Sequence, residues 1–259
     1  MMLDGVSALV TGASRGVGKG VALALGEAGA RVYVTGRTLE GPTSLRATVA
    51  EIEARGGVGV PLVCDHADDA SVRRAFEQVD ALDVLVNNVF AVPEGNLFSR
   101  APFWEQPIAF WDTMHAVGLR SHYVASVLAA PRLLESSRGL IANISSFGGA
   151  SYQVNVAYGV GKAGVDRLAK DMARDFRKHD VCVVSLYPGI VRTERVLAGE
   201  LPFDTTHSES PELTGRAIVA LANDPERMKH TGQIRVVAEL AERYGFTDVD
   251  GTQPASLRQ

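Results

Sequence analysis

Cysteine is almost missing from this chain: two occur in 259 residues, and both Cys64 and Cys182 sit inside apolar runs. That excludes a disulfide framework and a cysteine-built metal centre, and predicts two buried thiols. No apolar run approaches the roughly 20 residues needed to span a bilayer. The opening stretch MMLDGVSALV also lacks a basic leader and a cleavage signal. A cytoplasmic protein without a membrane partner is the expectation. A basic stripe is absent as well. With 26 Lys and Arg against 30 Asp and Glu the net charge is −4, which excludes nucleic acid as an expected partner and leaves a small molecule. Internal repeats and low-complexity linkers are lacking, so residues 1–259 read as one domain, whose 46% hydrophobic content suffices for one sizeable core.

What is present is alternation. Short β-branched runs at residues 6–10, 32–35, 58–64, 84–87, 140–144, 181–186 and 234–237 alternate with helical periodicity over 17–27, 44–55, 70–79, 108–134, 157–177 and 212–221. Repeated βαβ units predict an α/β fold, a doubly wound parallel sheet of about seven strands with helices on both faces. Segments 89–107 and 191–211 resist assignment. Both follow strands, and in open α/β sheets ligands bind beyond the carboxyl ends of strands, so substrate contacts are expected there.

The first strand runs into TGASRGVGKG, residues 11–20. Gly12, Gly16 and Gly18 let a tight strand-to-helix turn bring backbone amides against a pyrophosphate at a helix N-terminus, with Ser14, Arg15 and Val17 completing the cradle. The alternative is a turn chosen only for close packing. At the end of the second strand Gly36 stands where NAD-binding sheets place an acid for the ribose 2′-hydroxyl. Arg37 follows it, and with Arg15 it offers two guanidinium forks to a 2′-phosphate, so NADP(H) is favoured over NAD(H). Asp65 either accepts from the adenine amino group or caps the next helix. Asn87, ending VLVNN, is expected to bind backbone across the strand ends beside the adenosine.

In NVAYGVGKAG, residues 155–164, Tyr158 and Lys162 stand at i and i+4 on one helix face. A phenol of ordinary pKa about 10 is a poor acid or base at neutral pH, and a neighbouring ammonium favours the phenolate. Ser145 ends the strand LIANIS thirteen residues upstream of Tyr158. It is expected to hold a substrate oxygen while Tyr158 moves the proton, with Ser146 pointing elsewhere if the strand alternation persists. Taken alone, such a Tyr–Lys pair is more often an exposed pair. Together with a dinucleotide turn, it makes a proton partner for hydride chemistry.

In order and spacing, TGASRGVG, the Asn pair after the fourth strand, ISS, YGVGK and YPGIVRT resemble the short-chain dehydrogenase/reductase family over nearly the whole chain. The resemblance implies strand order 3-2-1-4-5-6-7, carbonyl–alcohol interconversion, and a homodimer or homotetramer. It implies Tyr158 as general acid/base, Ser145 as holder of the substrate oxygen, and Lys162 as both tuner of the tyrosine and ligand of the nicotinamide ribose. It also assigns Pro188, Gly189, Val191 and Thr193 to the nicotinamide side. Two departures stand out. The family's relay asparagine on the fourth helix is here Gly118, with His115 a candidate substitute, and its NNAG is here NNVF, ending at Phe90. His115 and His122, seven apart without a nearby carboxylate, read as packing and surface residues, and no metal is expected. Phe98, Phe103, Trp104, Phe110 and Trp111 wall either an apolar pocket or an oligomer contact, or are ordinary helix packing.

Overall fold

In a computed structural model, residues 2–92, 101–199 and 205–258 are described. Apolar residues alternate along every inner strand, and each set faces its own helical layer. The strands are β1 (Ser7–Val10), β2 (Arg31–Gly36), β3 (Val58–Val63), β4 (Val84–Asn87), β5 (Leu140–Ile144), β6 (Cys182–Tyr187) and β7 (Ile234–Val236). The helices are α1 (Gly16–Glu27), α2 (Leu45–Ala54), α3 (Asp69–Phe76), α4 (Ile108–His115), α5 (Ser121–Glu135), α6 (Val156–Phe176), α7 (Glu194–Leu197), α8 (Pro211–Asn223) and α9 (Val237–Tyr244). All seven strands pair in parallel in the order β3-β2-β1-β4-β5-β6-β7.

Ala8, Val10, Val32, Val34, Val84, Val86, Leu140 and Ala142 join side chains of α1, α2, α8 and α9 in one core. Leu9, Tyr33, Leu85, Ile141 and Val183 point the other way, into a second core with α3, α5 and α6. This is the period-two pattern of strands covered on both faces. Cys64 and Cys182 are buried and unpaired, as expected. Among the described residues no helix is long and apolar enough to cross a membrane.

The stretch 108–134, expected as one helix, is divided. A wider π-helical turn over Ala116–Arg120 separates α4 from α5. Helices α7 and α9 were not foreseen. Where β1, β4, β5 and β6 end, the chain leaves the sheet on one edge. The glycine turn, Asn88, Ser146 and Pro188 gather there, at the crevice where such sheets bind ligands.

Candidate active site

The glycine turn is held by close packing. Gly12 and Gly16 have φ of +67° and +59°, the left-handed region that glycine enters most readily. A Cβ on Gly12 would stand 2.9 Å from the Val89 backbone, and one on Gly18 2.4 Å from the Gly12 carbonyl oxygen. Helix α1 opens at Arg15 with no side-chain cap and no acid in its first turn. Its first amide, Gly16 N–H, instead donates to both carboxylate oxygens of Glu194, at 2.9 and 3.2 Å. That carboxylate is a stand-in anion on the turn, and the arrangement fits a pyrophosphate. Val17 packs on the core beneath. Gly36 is buried at the end of β2, where its Cβ would meet Leu45 at 3.2 Å and Ser14 at 3.8 Å, so the turn lies directly beside the β2 end. Arg15 and Arg37 are both exposed.

Two expectations need correction, Asp65 as a helix cap and Asn87 as a binder of backbone. Asp65 caps the turn before α3 rather than the helix itself, accepting from Ala67 N–H at 3.0 Å, while Asp68 is the α3 cap. Asn87 does not bind across the strand ends. It is fully buried and donates to Ser126 Oγ (3.0 Å) and Asn143 Oδ1 (2.9 Å). The backbone contacts belong to Asn88, whose amide donates to the carbonyls of Thr11 (2.8 Å) and Gly12 (3.1 Å). As the last residue of β4, Asn87 still points into the layer beneath the sheet, and its follower turns into the crevice. Unforeseen nearby is His66, buried against Thr35 Oγ1 at 2.7 Å, with burial pulling its pKa to about 4.

Asn155 caps α6 by accepting from Tyr158 N–H at 2.9 Å, which sets the first turn that carries the tyrosine. The phenol donates to Ser146 Oγ at 2.9 Å. The expectation that Ser145 faces Tyr158 is therefore corrected. Ser145 N–H still bonds the Leu186 carbonyl across the sheet, so its hydroxyl lies lower, 3.2 Å from the Lys162 carbonyl oxygen. Ser146 stands past that last ladder bond, level with the first turn of α6. Burial raises the Tyr158 pKa above its ordinary value, and the bond with Ser146 opposes the rise. The lowering expected from Lys162 does not prevail here. The Lys162 ammonium donates to the Ile144 carbonyl at 3.0 Å and lies 5.9 Å from the Tyr158 ring centre. Burial draws its own pKa down to about 8.

The two departures in sequence are one feature in space. A Cβ on Gly118 would stand 2.9 Å from the Phe90 ring, so Phe90 fills the room that a side chain at 118 would need. Phe90 meets Tyr158 edge-on at 5.9 Å and lies under the Lys162 ammonium at 5.2 Å. His115 stacks on Trp111 at 3.8 Å, and His122 is buried with Nε2 at 3.1 Å from the Val89 carbonyl oxygen. His122 is thus a packing residue of the core. The described residues contain no cluster of metal ligands. The aromatic segment divides: Phe110 packs with Met114, Ala157, Phe90 and Tyr158, whereas Phe103 and Trp104 are exposed. Phe98 lies outside the described residues.

Beyond β6, Pro188 and Gly189 turn the chain, Val191 pairs with Glu209 in an isolated bridge, and Thr193 begins α7. The segment 191–211, where substrate contacts are expected, is tied where it is described. Arg192 reaches the Ser208 carbonyl (2.7 Å), Asp248 (3.3 Å) and Asp250 (3.1 Å). Sequence reasoning missed Glu209, which is buried and held by Gly189 N–H, with its pKa raised by burial to about 7. It also missed Asp166. An acid in a polar loop or on a helix surface carries no sequence signal that separates it from a solvated one.

Residues 7–198 match the family model of short chain dehydrogenase. The chain is 44% identical to dehydrogenase/reductase SDR family member 1 of Mus musculus, over 96% of this chain and 85% of that protein. That likeness was already visible in WDTMHAVGLRSHY and LAERYGFTDVDG. The 3-oxoacyl-[acyl-carrier protein] reductase of Brucella melitensis superposes with a TM-score of 0.80 at 25% identity, over 91% of each chain. A metagenomic short-chain oxidoreductase in complex with NADP does so with a TM-score of 0.73 at 29% identity, over 91% of this chain and 97% of that one. The family match spans most of the sheet, the strand order agrees with it, and this chain belongs to the short chain dehydrogenase/reductase family of oxidoreductases.

Proposed function

We propose that this chain is an NADP(H)-dependent oxidoreductase that interconverts a small-molecule carbonyl and its alcohol, with Tyr158 as general acid/base. The observation that carries the reading is the 2.9 Å contact of Tyr158 with Ser146 at the open edge of the sheet, beside Lys162. Bound nicotinamide supplies or accepts the hydride. In reduction, Tyr158 delivers its proton to the substrate oxygen, and in oxidation it takes that proton back. Ser146 accepts from both Tyr158 and Gly148 N–H, which leaves its own proton to donate to that oxygen. Lys162 contributes positive charge beneath the phenol and hydroxyl-binding capacity toward the ribose. Gly12, Gly16, Gly18 and Thr193 serve the phosphates and nicotinamide, and Pro188, Gly189 and Val191 shape that side.

The cofactor choice rests on Arg15 and Arg37 beside an acid-free β2 end, and it gains support from the relative that carries NADP. A homodimer or homotetramer belongs to the same reading, supported by exposed Tyr123 and Val127 on one face of α5. A nucleotide-binding protein with little turnover is the second reading, favoured by the apolar Phe90–Gly118 contact where the family keeps a polar relay.

Fluorescence titration of NADPH and NADH, followed by cofactor absorbance with a panel of aromatic and alicyclic ketones, decides between them. Tighter NADPH binding is expected. Turnover is expected to fall by at least about 10³-fold in Tyr158→Phe, within the range for loss of a positioned acid/base group. Cofactor binding without turnover above that variant favours the second reading, and tighter NADH binding overturns the role given to the two arginines.

A further inference from the structure

Behind the tyrosine and lysine stands a third ionisable group that sequence reasoning passed over. Tyr158, Lys162 and Asp166 follow one another at intervals of four on α6, one above the next on a single face. Asp166 is only partly exposed, and two hydroxyls from outside its helix converge on it. Ser185 Oγ on β6 donates to Oδ1 at 2.5 Å, and Tyr187 Oη at the end of β6 donates to Oδ2 at 2.5 Å. Ser145, just past β5, instead donates its hydroxyl to the Lys162 carbonyl at 3.2 Å. A carboxylate that accepts several hydrogen bonds is favoured in its charged form and fixed in place.

We propose that Asp166 is a positioning residue, a carboxylate anchored by Ser185 and Tyr187 whose negative charge keeps the Lys162 ammonium protonated beneath Tyr158. The inference rests on the function proposed above.

Among the described residues the charges around the ladder are few. Lys162 faces Tyr158 and Asp166 along its own helix, the Phe90 ring at 5.2 Å, and His122 from α5, which is buried, with its pKa lowered to about 3. Asp166 faces the hydroxyls of β6, and beyond Tyr187 the Arg258 guanidinium. Burial alone works against the ammonium, and Asp166 is the group whose charge works for it. Burial likewise raises the Asp166 pKa, while the Ser185 and Tyr187 bonds and the Lys162 charge oppose that rise. The hydroxyls therefore act on Lys162 through the carboxylate.

The test is a side-chain NMR titration of the Lys162 ¹³Cε resonance in the free protein, assigned with Lys162→Arg, in the wild type and in Asp166→Asn. The amine in the asparagine variant is expected to titrate at least about one pH unit lower, because removal of an opposite charge favours the neutral amine. Should Asp166→Asn not fold, the apolar set Asp166→Leu, Ser185→Ala and Tyr187→Phe leaves none of the β6 donors unpaired and is expected to give the same displacement. An amine that titrates at the same pH with and without the carboxylate overturns the inference. A pH profile of kcat separates this from the functional reading. An alkaline limb displaced downward in Asp166→Asn, with Tyr158→Phe inactive, supports both. A wild type without turnover whose amine still responds to Asp166 sinks the functional reading and leaves the positioning role standing.

Discussion

Two adjacent pairs of identical residues show how a single position decides a role. In Asn87–Asn88 and in Ser145–Ser146 the first member ends its strand's ladder and points into the layer below, and the second enters the crevice. Sequence reasoning assigned the crevice to the first member of each pair. The error has a physical source: period two tells which residues share a face but not where the last cross-strand bond falls, and Ser145 N–H still bonds Leu186 beyond the end of β5. The geometry predicts unequal consequences. Ser146→Ala is expected to lower kcat by about 10²–10³-fold, the usual loss when a donor to a developing oxyanion is removed. Ser145→Ala is expected to cost less than about tenfold, since that hydroxyl bonds the Lys162 carbonyl rather than the phenol. Steady-state kinetics of the two variants with one ketone checks the ordering, and a larger loss in Ser145→Ala would restore the sequence-based assignment.

At the level of elements, the places of strands and helices set by apolar period were legible, while the caps that fix the helix starts were not read. Ser44, Asp68, Asn155 and Ser210 each accept from an amide in the first turn of the helix they precede. The division of residues 108–135 was not legible, because a π turn widens the helix without adding a proline or a polar break to the sequence. The glycines that seat α1 against α8 were equally silent. A Cβ on Gly20 would stand 2.3 Å from the Pro211 backbone, and one on Gly215 2.6 Å from the Ala24 Cβ. Neither has the positive φ that marks a turn glycine. Gly20→Ala is expected to destabilise the fold by about 1–3 kcal/mol despite alanine's better helix propensity, because two packed backbones must separate. Chemical denaturation measures this, and a stabilised variant would show that the contact yields readily. Since Gly20 lies on the helix that opens at the glycine turn, weaker NADPH binding is expected to accompany the loss.

For the molecule as a whole, buried titratable groups tie stability to pH. His66 and His122 have pKa values lowered by burial from about 6.5 to about 4 and about 3. Below pH 6.5 the unfolded chain takes up these protons and the folded chain does not, so stability falls as pH drops toward those values. Glu209 acts in the opposite sense. Its pKa is raised from 4.5 to about 7, so between those values the folded state holds the additional proton and gains stability as pH falls. Two histidines against one glutamate leave a net decline from pH 6.5 to 5, at most about 1.4 kcal/mol per pH unit for one proton. Thermal melts of the wild type should show this decline. Glu209→Gln, which removes the opposing group, should steepen it, and an unchanged slope would place the Glu209 carboxyl pKa near its ordinary value.

The alternation of apolar runs, the glycine turn after the first strand, the missing acid at Gly36 and the Tyr158–Lys162 spacing were determined by sequence alone. Each is a local regularity of period two or 3.6, or a turn requirement, that neighbouring residues settle among themselves. The tertiary structure decided which serine meets the phenol, which asparagine ties β1 to β4, that Phe90 occupies the room beside Gly118, and that Asp166 and Glu209 are shielded from water. Those outcomes depend on how far one strand runs before it leaves the sheet and which helix lies across it, distances fixed by packing between segments far apart in the chain.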